Sequence, residues 1–374
     1  MTHRRWLQLI AGALLTLAAL GVAATPVAAT PDPAAAATAY LEARAAAVTA
    51  TDPASTLAPW VGREGTLAAA ECAIARGTAR RAALSDHHID SVTARVSVVG
   101  ADQDAASLSA TVDAHVITTI VWHAASGAPS TEASGIDHTL SLERTGDGWR
   151  VMADDYTDVM APAYLEAAGA SKATVRGVAA RLERTTSLPH PTRHRGSKWA
   201  TPSRGPHHFT DALYYDREAC RDYADKYALA YNPTYVRFDA DCADFASQCA
   251  RAGGMPPAFG GYDSGWWYDK QGTSSPADDR YSLSWINVTK QMGYWNTRRT
   301  DWVASIGSVG KGDYVYYDWT GNGSWDHVAV LAGTNSAGQK VVDAHTTDHY
   351  RVFWKLGSSA THYKFARVRA YWIV

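Results

Sequence analysis

A cysteine at the start of an amphipathic segment, two histidines placed at the ends of apolar runs and carboxylates beside each of them are the residues of this chain suited to nucleophilic chemistry. Cys242 lies in DADCADFASQCARAGG, where Phe245, Ala246, Cys249 and Ala250 recur at i+3, i+4, i+7 and i+8 before Gly253-Gly254 ends the run. That spacing predicts a short helix with Cys242 on its first turn. Free backbone N–H groups and the helix dipole there favour a thiolate, and Asp239 or Asp241 can cap the same groups. Taken alone, Cys242 fits a small buried hydrophobe better than a nucleophile, and the later segments shift that balance.

The elements that must position its partners come later in the chain. Gly312-Asp313 with residues 314–317 predicts a turn and a strand. Residues 325–331 predict a second strand that begins at His327, and residues 341–345 a third that ends at His345. A histidine on a strand edge is well placed as a general base, and a polar group on the neighbouring strand can orient it through its other ring nitrogen. A helix-borne cysteine, a strand-borne histidine and a further polar group occur in the order expected of papain-like cysteine hydrolases.

At these residues the chain resembles the family called the putative amidase domain, which is related to papain-like cell-wall amidases and peptidases of the NlpC and CHAP types. The family's helix pattern is matched by Tyr215-Asp216-Arg217, Ala219 and Tyr223-Ala224, and its Asn-Pro-x-Tyr by Asn232-Pro233-Thr234-Tyr235. Its nucleophile signature is matched by Asp241, Cys242, Phe245, Ser247 and Gln248. Trp285-Ile286-Asn287-Val288, Gly312-Asp313 and His327-Val328-Ala329-Val330 match three later patterns. The resemblance covers about residues 212–374. It implies Cys242 as nucleophile, His327 as general base and His345 as the orienting third member, with Asp343 as the alternative for that role. Asp241 and Trp325 are further candidates beside the substrate or the oxyanion. Ala243 and Asp244 stand where the family has Thr and Asn, which puts an anion within one turn of the thiol and would raise its pKa unless Asp244 points to solvent.

The activity so implied is amide hydrolysis through a thiolate, with no cofactor and a peptide or cell-wall polymer, such as a peptidoglycan stem peptide, as substrate. A transferase that passes the acyl group to an amine would use the same residues. A non-catalytic wall- or protein-binding module on the same fold is the alternative from another class. Trp266, Trp267, Trp319 and Trp325 sit among Gly and Asp in segments that suit loops walling a groove, and equally suit an ordinary core. His345 and His349 with Asp343 and Asp348 have ligand-like types, but no HExxH glutamate or cysteine pair accompanies them, so no metal is expected.

Thr2-His3-Arg4-Arg5, the apolar run 6–22 and Val27-Ala28-Ala29 have the layout of a signal peptide over residues 1–29, so a secreted protein without stable membrane insertion is expected. Export permits disulfides, and a Cys220–Cys249 bridge between two helices competes with two buried thiols.

Ahead of the cysteine segment, residues 33–49 and 66–83 predict Ala-rich helices. Residues 88–99, 106–122, 138–144 and 149–153 predict strands separated by turn signals. Helices followed by a curved antiparallel sheet make an α+β cone over residues 33–170, loosely similar to NTF2-like domains and read as an accessory domain. Residues 171–211 are basic and Pro-rich, a helix end running into a semi-rigid linker that separates two independently folding halves. The fold class expected is therefore α+β throughout, with a papain-like α+β domain over residues 212–374. A net charge of −2 and a pI near 6.7 give no case for nucleic-acid binding.

Overall fold

The structure, a computed structural model, describes residues 32–186 and 213–372, apart from residues 64, 105, 107, 126, 273 and 274. The expected signal peptide and most of the expected linker lie outside the described residues. The first half runs α1 (Pro33–Ala46), α2 (Pro53–Leu57), α3 (Thr66–Leu84), β1 (His87–Asp104), β2 (Ser109–Ala124), β3 (Ser130–Thr145), β4 (Gly148–Tyr156), α4 (Ala161–Ala167) and α5 (Lys172–Thr186). The second runs β5 (Leu213–Tyr214), α6 (Arg217–Tyr227), α7 (Cys242–Ala252), β6 (Tyr268–Asp269), β7 (Arg280–Tyr281), α8 (Leu283–Ile286) and α9 (Val288–Arg298). It continues with β8 (Thr300–Val303), β9 (Tyr314–Asp318), β10 (His327–Thr334), β11 (Lys340–Ala344), β12 (Asp348–Phe353), β13 (His362–Val368) and β14 (Tyr371–Trp372). Helix and strand are mixed in both halves, so the fold is α+β. Among the described residues no helix is long and apolar enough to cross a membrane.

Local chemistry accounts for the element ends. Asp32 accepts from the Ala34 N–H with Pro33 at the first helical position, and Asp216 accepts from the Ala219 N–H at the start of α6. Gly312, at φ 72°, makes the turn into β9, where a Cβ would stand 3.2 Å from the Arg217 backbone. Asp313 then fixes that turn by accepting from the Gly310 and Val368 N–H groups and from Arg217.

Among the described residues ten strands form one sheet, in the order β1-β2-β3-β12-β11-β10-β9-β13-β8, with β4 also paired to β3. The two halves meet inside it. β4 takes residues 138–145 of β3, and β12 takes Gly135, Ser134 and Ala133 on the same edge. Three cores follow. Ala37, Tyr40, Leu41 and Cys72 pack α1 and α3 on the first half's sheet. Phe245, Trp285, Tyr316, Val328 and Val330 pack the second half's helices on one face of its sheet. The opposite face, with Val315, Tyr317, Ala329, Leu331 and Val342, is covered by Val159, Met160 and Leu182 of the first half.

This departs from the composition-based expectation at the join. The first part of the expected linker is α5, whose Leu182 is buried on the second half's sheet and whose Glu183 accepts from Asn322 at 2.6 Å. Arg181 and Arg184 on that helix gave it the charge of a linker, while its apolar positions, spaced as in Val175, Ala179 and Leu182, are what docks it.

Candidate active site

Cys242 begins α7 as its spacing predicts, and α7 lies against the Val328 and Val330 side of β10. Its surroundings differ from expectation. The thiol is buried, 1 % exposed. Burial pushes it up to about 12, and the neighbouring Asp241 pushes the same way. The Val328 and Ala243 N–H groups and the Thr346 hydroxyl, which favour the thiolate, do not offset this. The pull of the helix start toward a thiolate is therefore outweighed by burial in this conformation.

His327 does not meet it. Side chains alternate along a strand, and Val328 and Val330 share the Cys242 core while Ala329 and Leu331 belong to the other. His327 takes the second side, its ring packed on Tyr317 and Trp319 at centroid distances of 5.5 and 5.3 Å. Among the described residues neither of its ring nitrogens has a hydrogen-bond partner. Burial, with a smaller push from His349 on the same side, lowers it to about 3. The sheet thus separates the expected base from the expected nucleophile.

His345 is brought to the cysteine's side instead. Its Nδ1 lies 2.7 Å from Asp241 Oδ2, its Nε2 lies 2.8 Å from the Tyr227 carbonyl oxygen, and its ring stacks on Phe245 of α7 at 3.9 Å. A carbonyl only accepts, so Nε2 carries a proton and donates it to Tyr227. One further proton lies between Nδ1 and Asp241. Burial pushes the Asp241 carboxyl well above the carboxylate range and pushes His345 down, and both directions favour a neutral acid donating to a neutral imidazole over an ion pair.

Asp241 was expected as a cap of α7 but makes no side-chain cap; its Oδ1 accepts from the Phe238 N–H at 2.9 Å. The helix start is capped from a distance by Thr346, whose Oγ1 accepts from the N–H groups of Asp241 and Cys242 at 2.6 and 3.1 Å. Thr346 and Thr347 both take left-handed backbone, at φ 61° and 75°, an uncommon conformation for β-branched residues. The same two threonines, with Phe238 and Asp239, line a cleft of about 560 Å³ whose other wall is Asp155 and Arg181 of the first half.

The remaining candidates sit elsewhere. Asp343 accepts from the Arg351 N–H at 2.7 Å, and Arg351 in turn donates to Asp225, so Asp343 is tied to that group and not to His327. Trp325 is partly buried against the core beneath Cys242 with Lys364 over its ring, while Trp266, Trp267 and Trp319 are buried core residues. His345 and His349 take opposite sides of the sheet, His349 bonding Ser134 of β3 at 2.9 Å. Among the described residues no group of three metal-ligating side chains occurs. Cys220 and Cys249 are free buried thiols.

Asp244 points inward and is fully buried. Its oxygens accept from Trp285 Nε1 at 2.5 Å and Gln248 Nε2 at 2.6 Å. The polarity of this chain is fixed at its far end. The Thr234 N–H must donate, which identifies Asn232 Oδ1. Asn232 Nδ2 therefore donates to Tyr223, Tyr223 donates to Gln248 Oε1, and Gln248 Nε2 faces Asp244. Residue 244 must accept from both sides, which a carboxyl oxygen pair does and an amide does not. Asp244→Asn is expected to cost about 1–3 kcal/mol by opposing two donors. Adding Gln248→Glu, whose carboxylate accepts both from Tyr223 and from the amide introduced at position 244, should recover most of it in urea titrations. No loss in the single variant would show the relay to be misassigned.

Residues 214–368 match the family described as "Putative amidase domain". The chain is also similar to two uncharacterized proteins of Bacillus subtilis (strain 168). YhbB is 29% identical over 170 residues, 44% of this chain and 52% of that protein. YjcM is 29% identical over 159 residues, 38% of this chain and 34% of that protein. The chain thus spans about half or less of the length of the curated relatives it matches. Among solved structures, the intermembrane space region of the chloroplast protein ARC6 aligns at 13% identity with a TM-score of 0.24, covering 33% of this chain and 91% of that one, a likeness too slight to build on.

Proposed function

We propose that the chain is an exported amide hydrolase of papain-like arrangement, in which Cys242 is the nucleophile and the Asp241–His345 pair handles its proton. The observation that carries this is Thr346 Oγ1, an oxygen seated on the Asp241 and Cys242 N–H groups at the start of α7. A substrate carbonyl oxygen in its place would be held by the same two donors with Cys242 beside it. The described conformation is then a closed one, its thiol neutral and covered by Thr346. Opening toward the cleft would relieve two left-handed threonines and wet the thiol.

The steps follow from these groups. In the closed state both His345 nitrogens are engaged, so on opening the pair first releases one proton to solvent as Nε2 leaves the Tyr227 carbonyl. With Asp241 ionised and holding the Nδ1–H, the freed Nε2 takes up the thiol proton, and the thiolate sulfur attacks the carbonyl carbon. The C–N bond breaks as the proton passes to the leaving amine, and water then cleaves the thioester. The first half, which supplies one wall of the cleft, is an accessory, NTF2-like domain in this proposal. Peptidoglycan stem peptides fit the substrate class, and release from the cell follows from the N-terminal segment.

Burial of the thiol and occupation of its N–H groups specifically favour one other proposal, a binding module that holds a wall peptide without cleaving it. Alkylation separates the two. With iodoacetamide and mass-spectrometric mapping, Cys242 of the closed protein should react slowly near neutral pH, with a rate that climbs about tenfold per pH unit. Thr346→Gly, which removes the cover and tolerates φ above zero, should raise the rate at neutral pH at least about tenfold. An unchanged rate would remove Thr346 as the cover and leave the binding module in possession.

A further inference from the structure

The first half contains a cavity of about 110 Å³ between α1, α3 and the sheet, closed on one side by Val352 and Phe353 of β12. We propose that it is a second binding site, for a small, mostly apolar molecule carrying one hydroxyl group. None of its lining residues belongs to the Cys242 site, and it does not depend on the hydrolase proposal.

Ile74, Ile89, Ile120, Met160 and Phe353 supply apolar wall. Packed interiors leave few voids larger than a water molecule, and an apolar cavity of ~150 Å³ stays dry and binds benzene. Two of the polar groups in the wall stand out. Trp122 is 3 % exposed, and its Nε1–H is buried with no partner among the described residues. Glu132 lines the same cavity, and its carboxyl accepts from the Phe353 N–H and feels Arg81 only at a distance, with no salt bridge among the described residues. Burial raises its carboxyl to about 7, against the pull of Arg81 and the Phe353 N–H. Register puts the two together: Glu132 pairs with Ile120 across β2–β3, so Trp122 is its diagonal neighbour on the same face.

A buried donor left without an acceptor and a carboxyl left without a cation ask for a ligand group that accepts from one and donates to the other. A hydroxyl does both. His87, stacked on Trp122 at 3.5 Å, also has its Nε2 without a partner among the described residues, while the charged groups elsewhere in the cavity are engaged. Glu71 is satisfied by Arg44 and Tyr156, Asp158 accepts from the Met160 N–H at 2.7 Å, and Arg81 donates to the Lys355 carbonyl.

Calorimetric titration of the full chain with phenol and with toluene, which matches it in size without the hydroxyl, tests this. Phenol should bind wild type about tenfold more tightly than toluene, the worth of one good hydrogen bond to a charged group. In Glu132→Leu the preference should vanish while toluene still binds, which shows the cavity intact. Ile120→Trp, which fills the space, should bind neither. Failure of both probes on wild type, equal affinity for the two, or phenol binding that survives Ile120→Trp would each overturn the site.

Discussion

Residues 213–374 produced without the first half are expected to fail to reach a native state. The sheet of the second half has two apolar faces, and Val159, Met160 and Leu182 cover one of them. Without them Val315, Tyr317, Trp319, Leu331 and Val342 would face water, at about 1.5–3 kcal/mol for each side chain fully uncovered. β12 would also become an edge, its partners at residues 133–135 gone, and unpaired edges invite association. The fragment should bind a hydrophobic dye and elute as aggregate, with weak near-ultraviolet circular dichroism. A monomer with native near-ultraviolet signal would show that the β3–β12 pairing is dispensable.

Asp241 carries the second large effect. Asp241→Ala leaves the Phe238 N–H and His345 Nδ1 without partners in a buried site, and should cost about 2–5 kcal/mol in urea unfolding. Asp241→Asn should cost far less. Its oxygen still accepts from Phe238, and its amide donates to the lone pair that a neutral His345 presents at Nδ1. The contrast reports the charge state: if the pair were imidazolium and carboxylate, the amide would face a protonated nitrogen, and Asn would be nearly as damaging as Ala.

The elements of the site were legible because each has its own local pattern. The Cys242 helix carries a helical period, and β9, β10 and β11 are apolar runs bounded by turn residues. Which way His327 faces was not legible. Residues 328–331, Val-Ala-Val-Leu, are apolar on both sides because β10 is covered on both, and a strand without alternation does not say which side its first residue takes. The role of Asp241 was hidden for another reason. An aspartate before a helix reads as a cap, and only the fold brings a histidine 104 residues away against it. β12 was missed because its polar residues look like loop. In the fold Asp348 accepts from Tyr231 and His349 bonds Ser134, so that polarity is spent on partners from distant parts of the chain.

The central claim is that the Asp241–His345 pair, and not His327, serves Cys242. Its most direct test is the kcat for amine release from peptide amides of peptidoglycan stem-peptide sequence, compared among wild type, Cys242→Ala, His345→Ala and His327→Phe, each checked for native circular dichroism. The account predicts that Cys242→Ala abolishes release, that His345→Ala lowers kcat roughly 10²- to 10⁴-fold, and that His327→Phe keeps most of it. Loss of kcat in a folded His327→Phe with His345→Ala retained would contradict it and return the base to β10.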